Sequence, residues 1–208
     1  TIGSADMGFI GNPIPDFTYG ITAEAQYRSV VGTFDFSMVW NGSQGNDIYN
    51  NTRSYGEGMY HNYACFTSVK NRFRAEDITF VNPLSGKTTF YPKNTDTNIP
   101  RAVYGDPNQN MRQSDRYVEN GSYLRLKSIV LGYSMPQRWC EKVYLENLRF
   151  YIGAKNLLTF TDYKGYDPEV GDQNTSGTNL TRGVDGLTSW DPTFPNSKEF
   201  YVGLQLTF

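Results

Sequence analysis

The sequence predicts an all-β fold whose antiparallel strands belong to a transmembrane β-barrel. Three observations carry this expectation. Five segments alternate apolar and polar residues, aromatic side chains collect at the ends of the apolar faces, and the connections are alternately short and long. Alternation of period two puts every second side chain on one face of a strand.

The first strand is expected near 16–28, in "DFTYGITAEAQYR". Phe17, Tyr19, Ile21, Ala23, Ala25 and Tyr27 share one face, and Thr18, Gly20, Thr22, Glu24 and Gln26 the other. The second, near 33–40, sets Phe34, Phe36, Met38 and Trp40 against Thr33, Asp35 and Ser37. The third, near 122–133, breaks the rule: Leu124 and Leu126 have one parity, Ile129, Leu131 and Tyr133 the other. A one-residue β-bulge near Lys127–Ser128 brings both sets to one face. The alternative turns Leu124 and Leu126 inward against an internal plug; the bulge is preferred. The fourth strand, near 147–156, alternates Leu148, Phe150, Ile152 and Ala154 with Arg149, Tyr151, Gly153 and Lys155. The fifth, near 199–208, ends the chain on Phe200, Val202, Leu204, Leu206 and Phe208.

The positions of the aromatics separate a membrane barrel from a sandwich. Phe17 to Tyr27 is ten steps, which at roughly 3.3 Å each and a tilt of about 40° spans about 25 Å. That is the height of the apolar band between two aromatic girdles. A sandwich core places its bulk in mid-strand instead, where packing is deepest. Phe17, Tyr19, Ile21, Tyr27, Phe34, Phe36, Met38, Trp40, Phe150, Ile152, Phe200, Val202, Leu204 and Leu206 are therefore expected to face lipid. A mean hydropathy of -0.56 does not oppose this. Helices would need about 18 consecutive apolar residues, whereas barrel strands alternate and polar loops dilute the average.

The connections at 28–32 and 134–146 are short, while 41–121 and 157–198 are long and polar. With the chain end periplasmic, the strands run down, up, down, up, down, and both long loops are extracellular. Cys65 and Cys140 then lie on opposite sides and are not expected to pair. Loops of this length are usually functional. A helix is a candidate within 60–77.

Few motifs suggest chemistry. Gly86-Lys87-Thr88 resembles the tail of a phosphate loop, but Val81 stands where its first glycine is needed. His61 is the single histidine, too few for a histidine metal site or a local triad. Asp167, Glu169 and Asp172 offer oxygens to calcium without EF-hand spacing, so a plain acidic loop is preferred. A formal net charge of -2 without a basic cluster argues against nucleic acid. No nucleophile, base and oxyanion set can be named, so neither an enzyme nor a cofactor is expected. The rival reading is a secreted β-sandwich that binds glycan through its loop aromatics.

The stretches "GNPIPDFTYGI", "NGSQGNDIYN", "DRYVENGSYLRLKSIVLGYSMP", "LRFYIGAKNLLTFTDYKGYDPEVG" and "FYVGLQLTF" resemble, in order and separation, the C-terminal portion of SusC/RagA-type TonB-dependent transporters of Bacteroidetes. The resemblance implies outer-membrane nutrient import through a barrel of about 22 strands. It also implies an N-terminal plug, TonB coupling, and a SusD-like surface lipoprotein that closes over oligosaccharide or peptide substrates. It gives Phe208 the role of a barrel-assembly signal. Tyr104, Tyr163, Tyr166 and Trp190 become candidate contacts to substrate or lid, although packing within the loops is the simpler role for any one of them. No plug or TonB box is recognised in 1–208, and five strands cannot close a barrel, for which about eight are needed. With neither initiator Met nor secretory leader, the chain is expected to be a processed product, a fragment or one chain of a split transporter.

Overall fold

In the computed structural model, which describes residues 3–58, 65–101, 103, 105–169, 183–185 and 195–208, the alternating segments form one antiparallel sheet. The elements in chain order are β1 (Phe17–Ser29), β2 (Gly32–Gln44), β3 (Asp47–Asn50), α1 (Asn51–Gly58), β4 (Ile78–Val81), β5 (Thr88–Tyr91) and β6 (Val118–Asn120). They continue with β7 (Tyr123–Ser134), α2 (Gln137–Cys140), β8 (Asn147–Lys155), β9 (Thr159–Thr161), β10 (Val184–Asp185) and β11 (Glu199–Thr207). The sheet order is β1-β2-β7-β8-β11, with β9 pairing on β7. Contacts divide the chain into two units. The sheet belongs to one, made of Gly11–Ile48, Glu119–Gly183 and Thr193–Phe208; Thr1–Ile10, Tyr49–Val118 and Val184–Pro192 form the other.

The register shows why the sheet has two unlike faces. Tyr27 pairs with Phe34, Phe34 with Tyr133, Tyr133 with Phe150 and Phe150 with Leu204, a row of apolar side chains crossing five strands. The next row is Ala25, Phe36, Leu131, Ile152 and Val202. Directly opposed residues share a face, so alternation along each strand becomes segregation across the sheet. The bulge is present: Val39 pairs with Ser128 but Trp40 with Leu126, leaving Lys127 as the extra residue. Leu124 and Leu126 thereby join Ile129, Leu131 and Tyr133. On the other side of β7, the bulge meets a break where β8 ends, Asn156 turns at φ 52°, and β9 takes over opposite Arg125.

Two glycines are required by geometry. Gly32 closes the β1–β2 turn at φ 139°, and a Cβ there would lie 2.5 Å from the Tyr133 ring. Gly132 leaves space above β7 for an ion pair between its neighbours, because Asp35 on β2 and Arg149 on β8 meet over it at Nε–Oδ1 3.0 Å.

The second unit is held by polar contacts more than by apolar bulk. Asn50 caps α1 by accepting the Arg53 N–H at 2.8 Å. The buried Glu57 carboxylate receives Arg53 at 3.2 Å, Arg116 at 2.7 Å and the Ser68 hydroxyl at 3.1 Å. Tyr117 is fully buried, sets its ring edge-on to Tyr49 and donates its hydroxyl to the Asn110 carbonyl at 2.9 Å. Helix forms at 51–58 rather than in 60–77, where the described residues contain only a 3-10 turn at Thr67–Asn71. The cap at Asn50 starts the helix earlier than the composition of 60–77 suggested. Gly86-Lys87-Thr88 belongs to the β4–β5 hairpin: Asn82 accepts the Leu84 and Ser85 N–H groups, and Gly86 turns at φ 65°. A hairpin closed in this way presents no phosphate cradle.

Candidate functional site: a two-faced sheet and a buried charge latch

On the apolar face Phe17, Ile21, Tyr27, Phe34, Phe150, Ile152, Phe200, Val202, Leu204 and Leu206 are exposed, while Tyr19, Phe36, Met38 and Trp40 are half-buried against their neighbours. Val202 keeps 82% of its surface open and Phe200 74%. Among the described side chains of this face, glycines aside, only Leu126 and Ala154 are buried. A contiguous apolar surface of this extent marks a binding or membrane surface, because water disfavours it strongly. Trp40 and Phe160 stack with centroids 6.2 Å apart near one end of the face, and Phe34 and Tyr133 meet at 5.0 Å near the other.

The opposite face is polar and carries the strongest electrostatics. Arg125 is 3% exposed and Asp167 2%, yet both are ionised groups. The Arg125 guanidinium donates Nη2 to Asp167 Oδ1 at 2.5 Å, and Nη1 to Asp167 Oδ2 at 3.1 Å and Glu169 Oε2 at 2.7 Å. Lys127 reaches the same Glu169 oxygen at 2.7 Å, and Tyr123 donates its hydroxyl to Oε1 at 2.9 Å. Tyr123, Arg125 and Lys127 stand two residues apart along β7, so the pleat alone brings all three to the polar face. Asn196 joins from 29 residues beyond Asp167, giving its backbone N–H to Asp167 at 2.8 Å and its amide to Glu169 at 2.8 Å. The latch therefore ties both ends of the 157–198 loop to β7. Buried charges persist only when paired and hydrogen-bonded in this way.

Burial works to raise the Asp167 carboxyl, but the hydrogen bonds from Arg125 and from the Glu169 and Asn196 N–H groups hold it below the ordinary aspartate value. Such a group binds fewer protons folded than unfolded, so its stabilisation is complete above about pH 4 and is lost as pH falls further. Thermal unfolding followed from pH 7 to 3 should show melting temperature dropping below about pH 4. Asp167→Asn should flatten that drop.

The other expected site residues are distributed as follows. Tyr163 is buried at 6%, with its hydroxyl end packed on Gly165, so its ring is closed to a ligand. Tyr166 is exposed. Tyr104 and Trp190 lie outside the described residues, as do His61 and Asp172. Phe208 is exposed at the end of β11. Asp167 and Glu169, the candidate calcium oxygens, are neutralised by Arg125 and Lys127. No disulfide involves Cys65 or Cys140. The latch itself was missed by sequence reasoning. Its signal was the matched spacing of Arg125-x-Lys127 and Asp167-x-Glu169, two cations and two carboxylates each two residues apart.

A sheet with an open apolar band, aromatic ends and a charged reverse face is the wall of an outer-membrane β-barrel. No family model matches the chain. Over its whole length it is 33% identical to the TonB-dependent receptor P3 of Formosa agariphila and 27% identical to the TonB-dependent receptor SusC of Bacteroides thetaiotaomicron, spanning 18% and 17% of them. Among solved structures it resembles the RagAB peptide importer in its closed-closed state, with TM-score 0.64 and 26% identity, covering all of this chain and 19% of that one. The chain is thus similar, from end to end, to one portion of the SusC/RagA-type TonB-dependent receptors, and spans less than a fifth of the length of the relatives it matches.

Proposed function

We propose that this chain supplies a five-strand sector of the wall of an outer-membrane importer. The importer takes up oligosaccharides or peptides, is driven through TonB and is closed by a SusD-like surface lipoprotein. The observation that carries this reading is the open apolar face backed by a polar one. Lipid covers the first, and a lumen holding a plug and passing substrate suits the second. The apolar side chains stay exposed on every long strand of the sheet, whereas a sandwich module would bury them in its core.

The shear of the sheet supports the membrane placement. Rows of paired residues climb in a tilted barrel: four strand steps of about 4.8 Å at about 40° raise the row by about 12 Å. Tyr27 begins a row that reaches Leu204 on β11, so the same depth on β11 lies beyond Leu204 toward the chain end. Four residues along a strand tilted at about 40° change depth by about 10 Å, so Phe208 is the apolar-face residue nearest that level. One girdle thus runs from Tyr27 to Phe208, which suits the proposed role of Phe208 in assembly. Leu204 sits in mid-band.

The similarity to SusC and to the RagAB peptide importer supports import as the activity. Topology and transport are tested together. In the full-length protein, Cys65→Ser with Ser85→Cys should react on intact cells with an impermeant maleimide, and Cys65→Ser with Lys142→Cys should not. A strain lacking the gene should lose growth on one class of oligosaccharide or peptide. Reversed labelling, or growth unchanged on every such substrate, would overturn the proposal.

A further inference from the structure

At the short-turn edge of the sheet, the apolar face ends in a cluster that combines one cation with an apolar groove. The groove, about 630 Å³, is lined from Ala25 on β1 to Val202 on β11, with Tyr27, Phe34, Leu131 and Tyr133 between. Tyr133 donates its hydroxyl to the Val31 carbonyl at 2.6 Å, fixing the β1–β2 turn beside the groove. Arg138, on α2, donates to the neighbouring Val30 carbonyl at 2.8 Å and lies 5.6 Å from the centroid of the Trp139 ring. Arg138 is exposed and makes no ion pair with a carboxylate among the described residues. Val30, Val31, Trp139, Val143 and Tyr144 around it are exposed as well. Lys142 adds a second exposed cation on this rim, with Glu141 beside it.

An exposed guanidinium without an acidic partner, on the same turn that the groove residue Tyr133 holds, matches an amphiphile carrying a phosphate. Arg binds phosphate in a planar, charge-assisted fork, and aromatic belts mark the depth of headgroups. We propose that this rim binds one glycerophospholipid of the inner leaflet, its phosphate on Arg138 and one acyl chain in the Ala25 groove. The proposal rests on the membrane-facing reading of the sheet. It adds a specific lipid site where that reading requires only a lipid solvent.

The test uses the full-length protein in outer-membrane vesicles loaded with phosphatidylethanolamine bearing a photoreactive acyl chain. Cross-links are expected on peptides containing residues 25–27 and 131–133, with a glycerophospholipid mass. Arg138→Gln should lower them about tenfold, the loss of one charge-assisted contact, and Arg138→Lys should restore part of the signal. Ala25→Trp, which fills the groove without touching charge, should abolish them. All three variants must fold as the parent does, judged by the heat-modifiable migration of the full-length barrel. Unchanged labelling in both Arg138→Gln and Ala25→Trp overturns the site while label on Met38 and Ile129 leaves the membrane-facing reading intact. Absence of label from the whole apolar face overturns that reading and the site with it.

Discussion

Arg125→Ala should be the most destabilising single substitution in the sheet unit, costing about 3–5 kcal/mol in urea unfolding of the full-length protein. Arg125 supplies three of the contacts to Asp167 and Glu169, and Asp167 is 2% exposed. Without the guanidinium the buried Asp167 carboxylate keeps only the Glu169 and Asn196 backbone N–H groups among the described residues. The loss includes the lost attraction and the desolvation of the orphaned charge, which is why it exceeds the worth of a surface pair. The double variant Arg125→Ala, Asp167→Ala should recover part of the stability, because it removes both charges. Loop 157–198 should become protease-sensitive in the single variant, since both of its ends are held by the latch. A change below 1 kcal/mol, on the scale of surface pairs, would show that the pair is hydrated and contributes little.

Leu204→Arg should cost roughly 2–4 kcal/mol, the price of a cation on the lipid face near mid-bilayer. Thr22→Arg, on the polar face, should cost much less. The register selects that control. Gln205 lies directly opposite Arg149, so an arginine there would test like-charge repulsion as well as the face, whereas Thr22 neighbours Glu24 on the same side. Folded-barrel yield and urea midpoints of the two variants distinguish the faces. Equal losses would mean that both faces meet the same solvent, and the two-sided assignment would fall.

What could be read in advance follows from the range of the interactions involved. The strands and their faces were legible because alternation is a local signal repeated along each strand, and the pleat converts it directly into sides. The bulge was legible for the same reason: parity changed between Leu126 and Ile129, and only an extra residue reconciles the two halves. The interior of the long loops was not legible. α1 begins where Asn50 caps it, and its Glu57 is set by Arg116, 59 residues away. Tyr163 looked like its exposed neighbour Tyr166 in sequence, but it packs on Gly165. The latch was hidden in the same way. Arg125 and Asp167 are 42 residues apart, and each alone reads as an ordinary solvated charge.

By itself, then, the sequence determined the strands, the two faces of the sheet, the place of the bulge and the resemblance to a transporter class, all of which depend on residues a few positions apart. Only the tertiary structure decided which charges meet across β7, which loop aromatics are buried, and that Arg138 and the groove residue Tyr133 hold adjacent carbonyls of one turn. Those outcomes depend on strand register and on segments brought together from distant parts of the chain. No local periodicity encodes them, because the energy of a buried ion pair or a filled groove exists only once both partners have been placed.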